Sequence, residues 1–380
     1  MAKQLFVPTY RIDECLQEIR QCLEIGWTGL GYKTVEFEKA WKEYTGFQHC
    51  HFVNSATAGL HLAVKVLKER FGWEDGDEVI STPLTFVSTN HAILYENLSV
   101  VFADVDEYLC LDPQDVERRI TPRTRAVMFV GMAGSSGAYR EILALCRKHG
   151  LALIVDAAHM AGTRLEGKAV GLEADATVFS FQAVKNLPTA DSGMVCFARA
   201  QDDELARKLS WLGINKDTYS RSNSKEAYKW HYDVEHVGYK YHGNSIMAAI
   251  GLVQLRYLDA DNAYRRQICQ WYEEAFAGND LIGMVPLPRG CESSRHIFPI
   301  LVDDRDSMIL ALNQSEVFPG VHYRDNTHYS MYRSGSGTCP RAREKSERLF
   351  SLPLHLRLTR SDVQYIAEKV TSYVNSKVPA

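Results

Sequence analysis

No Cys-x-x-Cys pair, block of like charge, low-complexity stretch or internal repeat occurs in these 380 residues. The nine cysteines (Cys15, Cys22, Cys50, Cys110, Cys146, Cys196, Cys269, Cys291 and Cys339) stand singly. An odd count without paired spacing argues against a disulfide framework or a structural zinc site, and fits reduced thiols in the cytosol. Charge of one sign is equally scarce: 43 Lys+Arg against 47 Asp+Glu leave a formal charge of −4. That balance excludes a general polyanion binder, because nucleic acid calls for a basic face. The longest uncharged apolar stretches, such as AVMFVGMAG at 126–134, fall far short of the roughly 18 residues a membrane span needs. The opening MAKQLFVPTY has no charged start followed by an apolar core, so no signal peptide is expected. A soluble, cytoplasmic protein without nucleic-acid, membrane or metal partners is the expectation.

What is there is the composition of a folded chain, with 46% hydrophobic, 24% charged and 11% aromatic residues. At roughly 150 residues per domain the length predicts two or three structural units. From about 50 to 200, short apolar runs alternate with amphipathic stretches. Candidate strands are 51–55, 78–82, 99–105, 126–131, 151–158, 177–181 and 193–198; helices are predicted at 58–71 and 139–150, the latter ending on a glycine. Such alternation builds a mainly parallel sheet with helices on both faces, an α/β fold whose ligands sit at the carboxyl ends of the strands. Beyond 200 the pattern changes. A helix is predicted at 201–212, a polar, aromatic-rich loop at 213–235 and one long helix at 246–276. A smaller α+β unit then opens with the strand 296–302 and closes with the helix 360–374. The boundary falls near 277–290, which divides the chain into a large unit, 1–280, and a small one, 281–380.

Four features follow one another at successive strand ends. Ser55-Ala56-Thr57-Ala58 ends a strand and opens a helix, where backbone N–H groups and hydroxyls can hold an anion; alone, it is also an ordinary helix cap. Phe86 lies just past EVISTPLT, where its ring can stack on a flat ligand or simply fill a core. Asp156 ends the apolar run LALIV, and a carboxylate there needs a cation, a metal or hydrogen-bond donors. Lys185 follows TVFSF; a lysine normally snorkels to solvent, whereas one in a partly desolvated pocket becomes an imine-forming nucleophile. Together, and in this order, they supply a phosphate anchor, a ring stacker, a carboxylate for a pyridinium and an imine-forming amine. Pyridoxal 5′-phosphate (PLP) requires that set.

The chain resembles the sugar aminotransferases of the DegT/DnrJ/EryC1/StrS family over nearly its whole length. The segments NSATAGLHLA, TPLTFVSTNHAIL, VDAAH, FSFQAVKNLPTADSG, GYKYHGNSIMAAIGLVQL and GVHYRDNTHYSMY carry the likeness. The resemblance implies the aspartate-aminotransferase-like fold (PLP fold type I), with a seven-stranded, mainly parallel sheet in the large domain and a smaller C-terminal α+β domain. It implies that Lys185 binds PLP, Asp156 pairs with the ring nitrogen and Phe86 stacks on the ring. Ala56, Thr57 and Ser180 would hold the phosphate, and His159, where the family usually has Gln, would reach the phenolic oxygen. Gln182 replaces a usual His, Ala56 replaces a usual Gly, and Gly131-Met132-Ala133-Gly134 replaces a usual His-Leu-Tyr-Gly. Lys240 stands where a usual Asn of the partner subunit meets the phosphate, so the resemblance implies a homodimer with shared active sites.

The activity implied is a PLP-dependent transamination from an amino acid, L-glutamate, to a keto sugar on a nucleoside diphosphate. The amino sugar made would serve a cell-surface polysaccharide or a secondary metabolite. Thr28, Gly29, Gly31, His322, Tyr323 and His328 are the candidates for the sugar-nucleotide pocket. Two other readings stand beside this one: a PLP enzyme acting on a small keto or aldehyde phosphate, and a non-catalytic regulator that kept the fold. Lys185 argues against the family's dehydrating cousins, which carry His there.

Overall fold

The computed structural model describes residues 2–215 and 232–377; most of the loop predicted at 213–235 lies outside the described residues. Seven strands form the main sheet: β1 (His49–Val53), β2 (Glu78–Ser81), β3 (Ser99–Phe102), β4 (Thr124–Val130), β5 (Ala152–Asp156), β6 (Ala176–Ser180) and β7 (Gly193–Phe197). Their spatial order is β1-β7-β6-β5-β4-β2-β3, and only β7 runs antiparallel to its neighbours. The expected α/β class and mainly parallel seven-stranded sheet are what the chain forms.

Period-two alternation explains why these strands read as continuous apolar runs. In β5, Ala152 and Ile154 pack into one buried cluster while Leu153 and Val155 pack into another. In β4, Ala126 and Met128 join the first cluster, Val127 and Phe129 the second. Both faces are thus covered, as a parallel sheet flanked by helices requires. The helix Ala56–Phe71 covers one face, and the Ser55 hydroxyl accepts its Ala58 N–H at 3.1 Å. The helix Tyr139–His149 ends where Gly150 turns left-handed, at φ 66°. Because six strands run the same way, Ser55, Phe86, Asp156 and Ser180 all come to one edge of the sheet.

The expected single helix at 246–276 is two, Ser245–Leu255 and Leu258–Phe276. Asn244 caps the first through Met247 N–H. At the break, Arg256 and Tyr257 donate to carbonyls three residues back rather than four. The Gln254 side chain binds the Thr9 carbonyl and Arg11 N–H, and Arg11 reaches on to Asp261. The first helix packs on the helices Ile12–Ile25 and Tyr32–Thr45, the second on Arg360–Ser376. A third buried cluster joins that second helix to an antiparallel sheet of Gly283–Met284, Phe298–Leu301 and Leu349–Leu352.

Candidate active site

A cleft of about 560 Å³ opens at the strand ends; Ala56, Thr57, Phe86, Asp156, His159, Ser180, Lys185, His322 and Tyr323 all line it. Nine of the residues picked from the sequence therefore share one space. Asp156, the last residue of β5, is 4% exposed. Its Oδ2 accepts from Thr89 Oγ1 at 2.7 Å and its Oδ1 from Ala158 N–H at 3.1 Å. Burial raises its pKa above the ordinary value, while those two bonds and Lys185 act against the rise. Among the described residues no cation forms an ion pair with it, so the carboxylate faces the cleft with unspent charge.

Lys185 lies in the turn after β6. Burial in the cleft wall pushes its pKa down to about 8, with Asp156 pulling the other way. Its Nζ sits 3.4 Å from His296 Nε2. The tautomer of His296 follows from its neighbours. Asn186 spends its amide N–H groups on Asn262 and the Ser294 carbonyl, so its Oδ1 accepts from His296 Nδ1–H at 3.0 Å. The Nε2 lone pair is left to accept from Lys185. His159 has the opposite arrangement: Nδ1 accepts the Ala133 N–H at 3.3 Å, which leaves Nε2–H to donate to the Tyr323 hydroxyl at 3.0 Å. Burial and Lys185 depress His159 and His296 well below the usual value and His322 to about 4, which keeps all three rings neutral.

These residues fit PLP. The uncompensated Asp156 carboxylate suits a protonated ring nitrogen, and the exposed Phe86 ring stands over the cleft. Ala56 and Thr57 open a 16-residue helix whose first N–H groups have no partner within it. Ser180, at the end of β6, adds a hydroxyl, and His159 stands beside Tyr323 in the same cleft.

Five sequence candidates lie outside the cleft in the single chain. Lys240 is exposed, with Nζ 3.3 Å over the Trp211 ring. Carbonyls of Thr28 and Gly29 accept from Ser245 N–H, and Gly31 opens the helix Tyr32–Thr45. His328 ends a short 3₁₀ turn, its Nδ1 at 3.3 Å from the Asp325 carbonyl. Conversely, the sequence reading missed Thr89, Asn186 and His296. The signals existed: Thr89 lies one turn beyond Phe86, Asn186 follows Lys185, and His296 opens an otherwise apolar strand.

The model of the DegT/DnrJ/EryC1/StrS aminotransferase family matches residues 10–371. The chain is 36% identical to the spore coat polysaccharide biosynthesis protein SpsC of Bacillus subtilis, over 95% of this chain and 94% of that one. The solved aminotransferase TlmJ from Streptoalloteichus hindustanus superposes with a TM-score of 0.91 at 32% identity, covering 99% of each chain. PseC of Helicobacter pylori, an aminotransferase involved in pseudoaminic acid biosynthesis, superposes with a TM-score of 0.90 at 27% identity, over 99% of this chain and 100% of that one.

Proposed function

The chain belongs to the DegT/DnrJ/EryC1/StrS aminotransferase family, whose members are PLP-dependent, and from that premise we propose that it carries an amino group from L-glutamate to the ketone of a nucleotide-linked sugar. The observation that carries this reading is the pairing, in one cleft, of a depressed Lys185 amine with a buried carboxylate, Asp156, that has no cation of its own. PLP, when bound, supplies the electron sink that makes a substrate C–H acidic.

The chain's residues do the rest. Asp156, held by Thr89 and Ala158, keeps a negative charge at the end of β5 and so keeps a ring nitrogen protonated. Lys185, once freed by the incoming amine, takes the proton from the donor's α-carbon. Burial holds its pKa down to about 8, which favours the neutral amine that a base must be. His296 Nε2 accepts a hydrogen bond from Nζ and so fixes where the base points. Ala56, Thr57 and Ser180 anchor the phosphate, Phe86 covers the ring, and Tyr323 and His322 line the side where substrate enters.

Residues 1–280 form the PLP-binding unit and 281–380 the small one, and Thr28, Gly29, Gly31 and His328 serve the sugar-nucleotide end. Two chains associate so that Lys240 of each reaches the other's phosphate site. In support, Ile12, Leu16 and Leu23 form an exposed apolar stripe on one helix. No described helix is long and apolar enough to cross a membrane; a cytoplasmic location is part of the proposal.

Incubation with glutamate and a panel of keto sugars, free, phosphorylated and nucleotide-linked, tests the reading by mass spectrometry of the products. Amination confined to nucleotide-linked sugars is expected, together with thermal stabilisation by UDP, GDP or dTDP. Amination of a small keto phosphate alone would replace it.

A further inference from the structure

We propose that Arg265 binds the carboxylate of the amino donor, from a narrow cavity that shares the side chains of Phe6, Val184 and Lys185 with the cleft. Arg265 lies on the helix Leu258–Phe276 and is 8% exposed. Among the described residues its guanidinium makes no hydrogen bond and no ion pair, and its Nε is fully buried without a partner. The carboxylate nearest in sequence, Asp261 one turn earlier, is taken: both its oxygens are held by Arg11 at 2.6 Å. A buried guanidinium without an ion pair of its own is costly, and burial pushes this one down to about 10 against the weaker pull of Asp261 and Cys269.

The cavity is lined by Phe6, Lys185, Asn186, Asp261, Arg265 and His355 among others. At about 10 Å³ it has room for one oxygen-sized atom. Phe6, Val184 and Lys185 also line the cleft, so the two spaces are neighbours across those side chains. The charged groups that line the cavity are Asp261, which Arg11 pairs from outside it, and the cations Arg265 and Lys185, so the excess is positive.

This inference rests on the transaminase reading, and the chemistry then selects the ligand. Lys185 Nζ takes a proton from the donor's α-carbon, and the donor's carboxylate is one bond from that carbon. A carboxylate oxygen must therefore come within a few ångströms of Nζ, and the atom-sized space on the other side of the Lys185 side chain is lined by an unpaired guanidinium. A keto sugar has no carboxylate at its reacting carbon. Arg265 thus serves one half-reaction and not the other.

The test uses the PLP-loaded protein and follows each half-reaction separately by absorbance, glutamate with the PLP form and keto sugar with the aminated form. Arg265→Met is expected to raise the glutamate concentration at half-saturation roughly thirtyfold, with Arg265→Lys between, while half-saturation by sugar stays within about twofold. Succinate, followed by thermal shift, should stabilise the wild type and not Arg265→Met. Removal of a lone buried charge should leave the melting temperature of Arg265→Met no lower than that of the wild type. Should the Met variant fail to fold, the Lys variant and succinate decide. Unchanged glutamate saturation in the folded variants, or equal losses in both half-reactions, would overturn the inference. A wild type converted by no amino acid would overturn the transaminase reading itself.

Discussion

Replacing Thr89 by Val removes the hydroxyl that holds Asp156 while leaving shape and volume almost unchanged. Thr89 is fully buried, and its Oγ1 donates to Asp156 Oδ2 at 2.7 Å and accepts from Thr85 Oγ1 at 2.9 Å. A hydrogen bond to a charged group contributes about 1.5–3 kcal/mol, which corresponds to about one to two pKa units on the carboxyl. The direction is fixed by the site. Burial already raises Asp156, and Thr89 is the first of the groups that oppose the rise. Loss of Thr89 therefore moves Asp156 further up, and a protonated carboxyl cannot keep a pyridine nitrogen charged. PLP affinity, measured by equilibrium absorbance titration near neutral pH, should fall roughly ten- to hundredfold. The pH dependence checks the cause. A carboxyl whose folded pKa lies above its unfolded one contributes stability below the unfolded value and loses it as pH rises through the folded value. Cofactor-free Thr89→Val should thus gain more stability than wild type on acidification, over a window shifted upward. Thr89→Ser should restore most of the affinity. PLP binding by Thr89→Val within about twofold of wild type would refute the claim that Thr89 sets the charge on Asp156.

Lys185→Ala should abolish steady-state transamination while the melting temperature stays close to wild type, because the loss is a cleft-wall amine and not core packing; more than trace turnover would remove Lys185 from its role. In the cofactor-free protein, labelling of Lys185 by an amine reagent should rise through a pH of about 8 rather than near the ordinary lysine value. The matching sign for stability is a group whose folded pKa is depressed, so stability climbs from about pH 8 toward the unfolded lysine value as the unfolded chain holds the extra proton. Gly59→Ala should lower stability by about 1–3 kcal/mol in chemical denaturation, since its Cβ would lie 2.8 Å from Val178 Cγ1 where the helix Ala56–Phe71 meets β6. Co-expression of Lys185→Ala and Lys240→Ala chains should return about a quarter of all sites to native behaviour if Lys240 acts across a two-fold interface; no gain over either parent would place Lys240 outside the neighbouring site.

The strands and the chemistry they carry were legible because both are local. LALIV followed by Asp156, and TVFSF followed shortly by Lys185, announce a buried strand with a polar group at its end, and a parallel sheet brings such ends together. Less legible was whatever depends on contacts distant in sequence. The segment 246–276 reads as one helix because its periodicity is unbroken, and it breaks at Arg256–Tyr257, beside a Gln254 side chain tied to Thr9 and Arg11, more than 200 residues away. His296 looks like the polar start of a strand until Asn186, 110 residues earlier, fixes its tautomer against Lys185. Lys240 and Thr28 lie away from the cleft of their own chain, and a single sequence does not show what a second copy would do there.

The central claim, that Lys185 is the amine that binds PLP opposite Asp156, has a direct measurement: borohydride reduction of the PLP-loaded protein, digestion and mass mapping of the pyridoxyl-modified peptide. The modification is expected on Lys185, in the segment SFQAVKNLPTADSG, and is expected to disappear in Lys185→Ala. A pyridoxyl group mapped to Lys240 or any other lysine, with Lys185 unmodified, would contradict it.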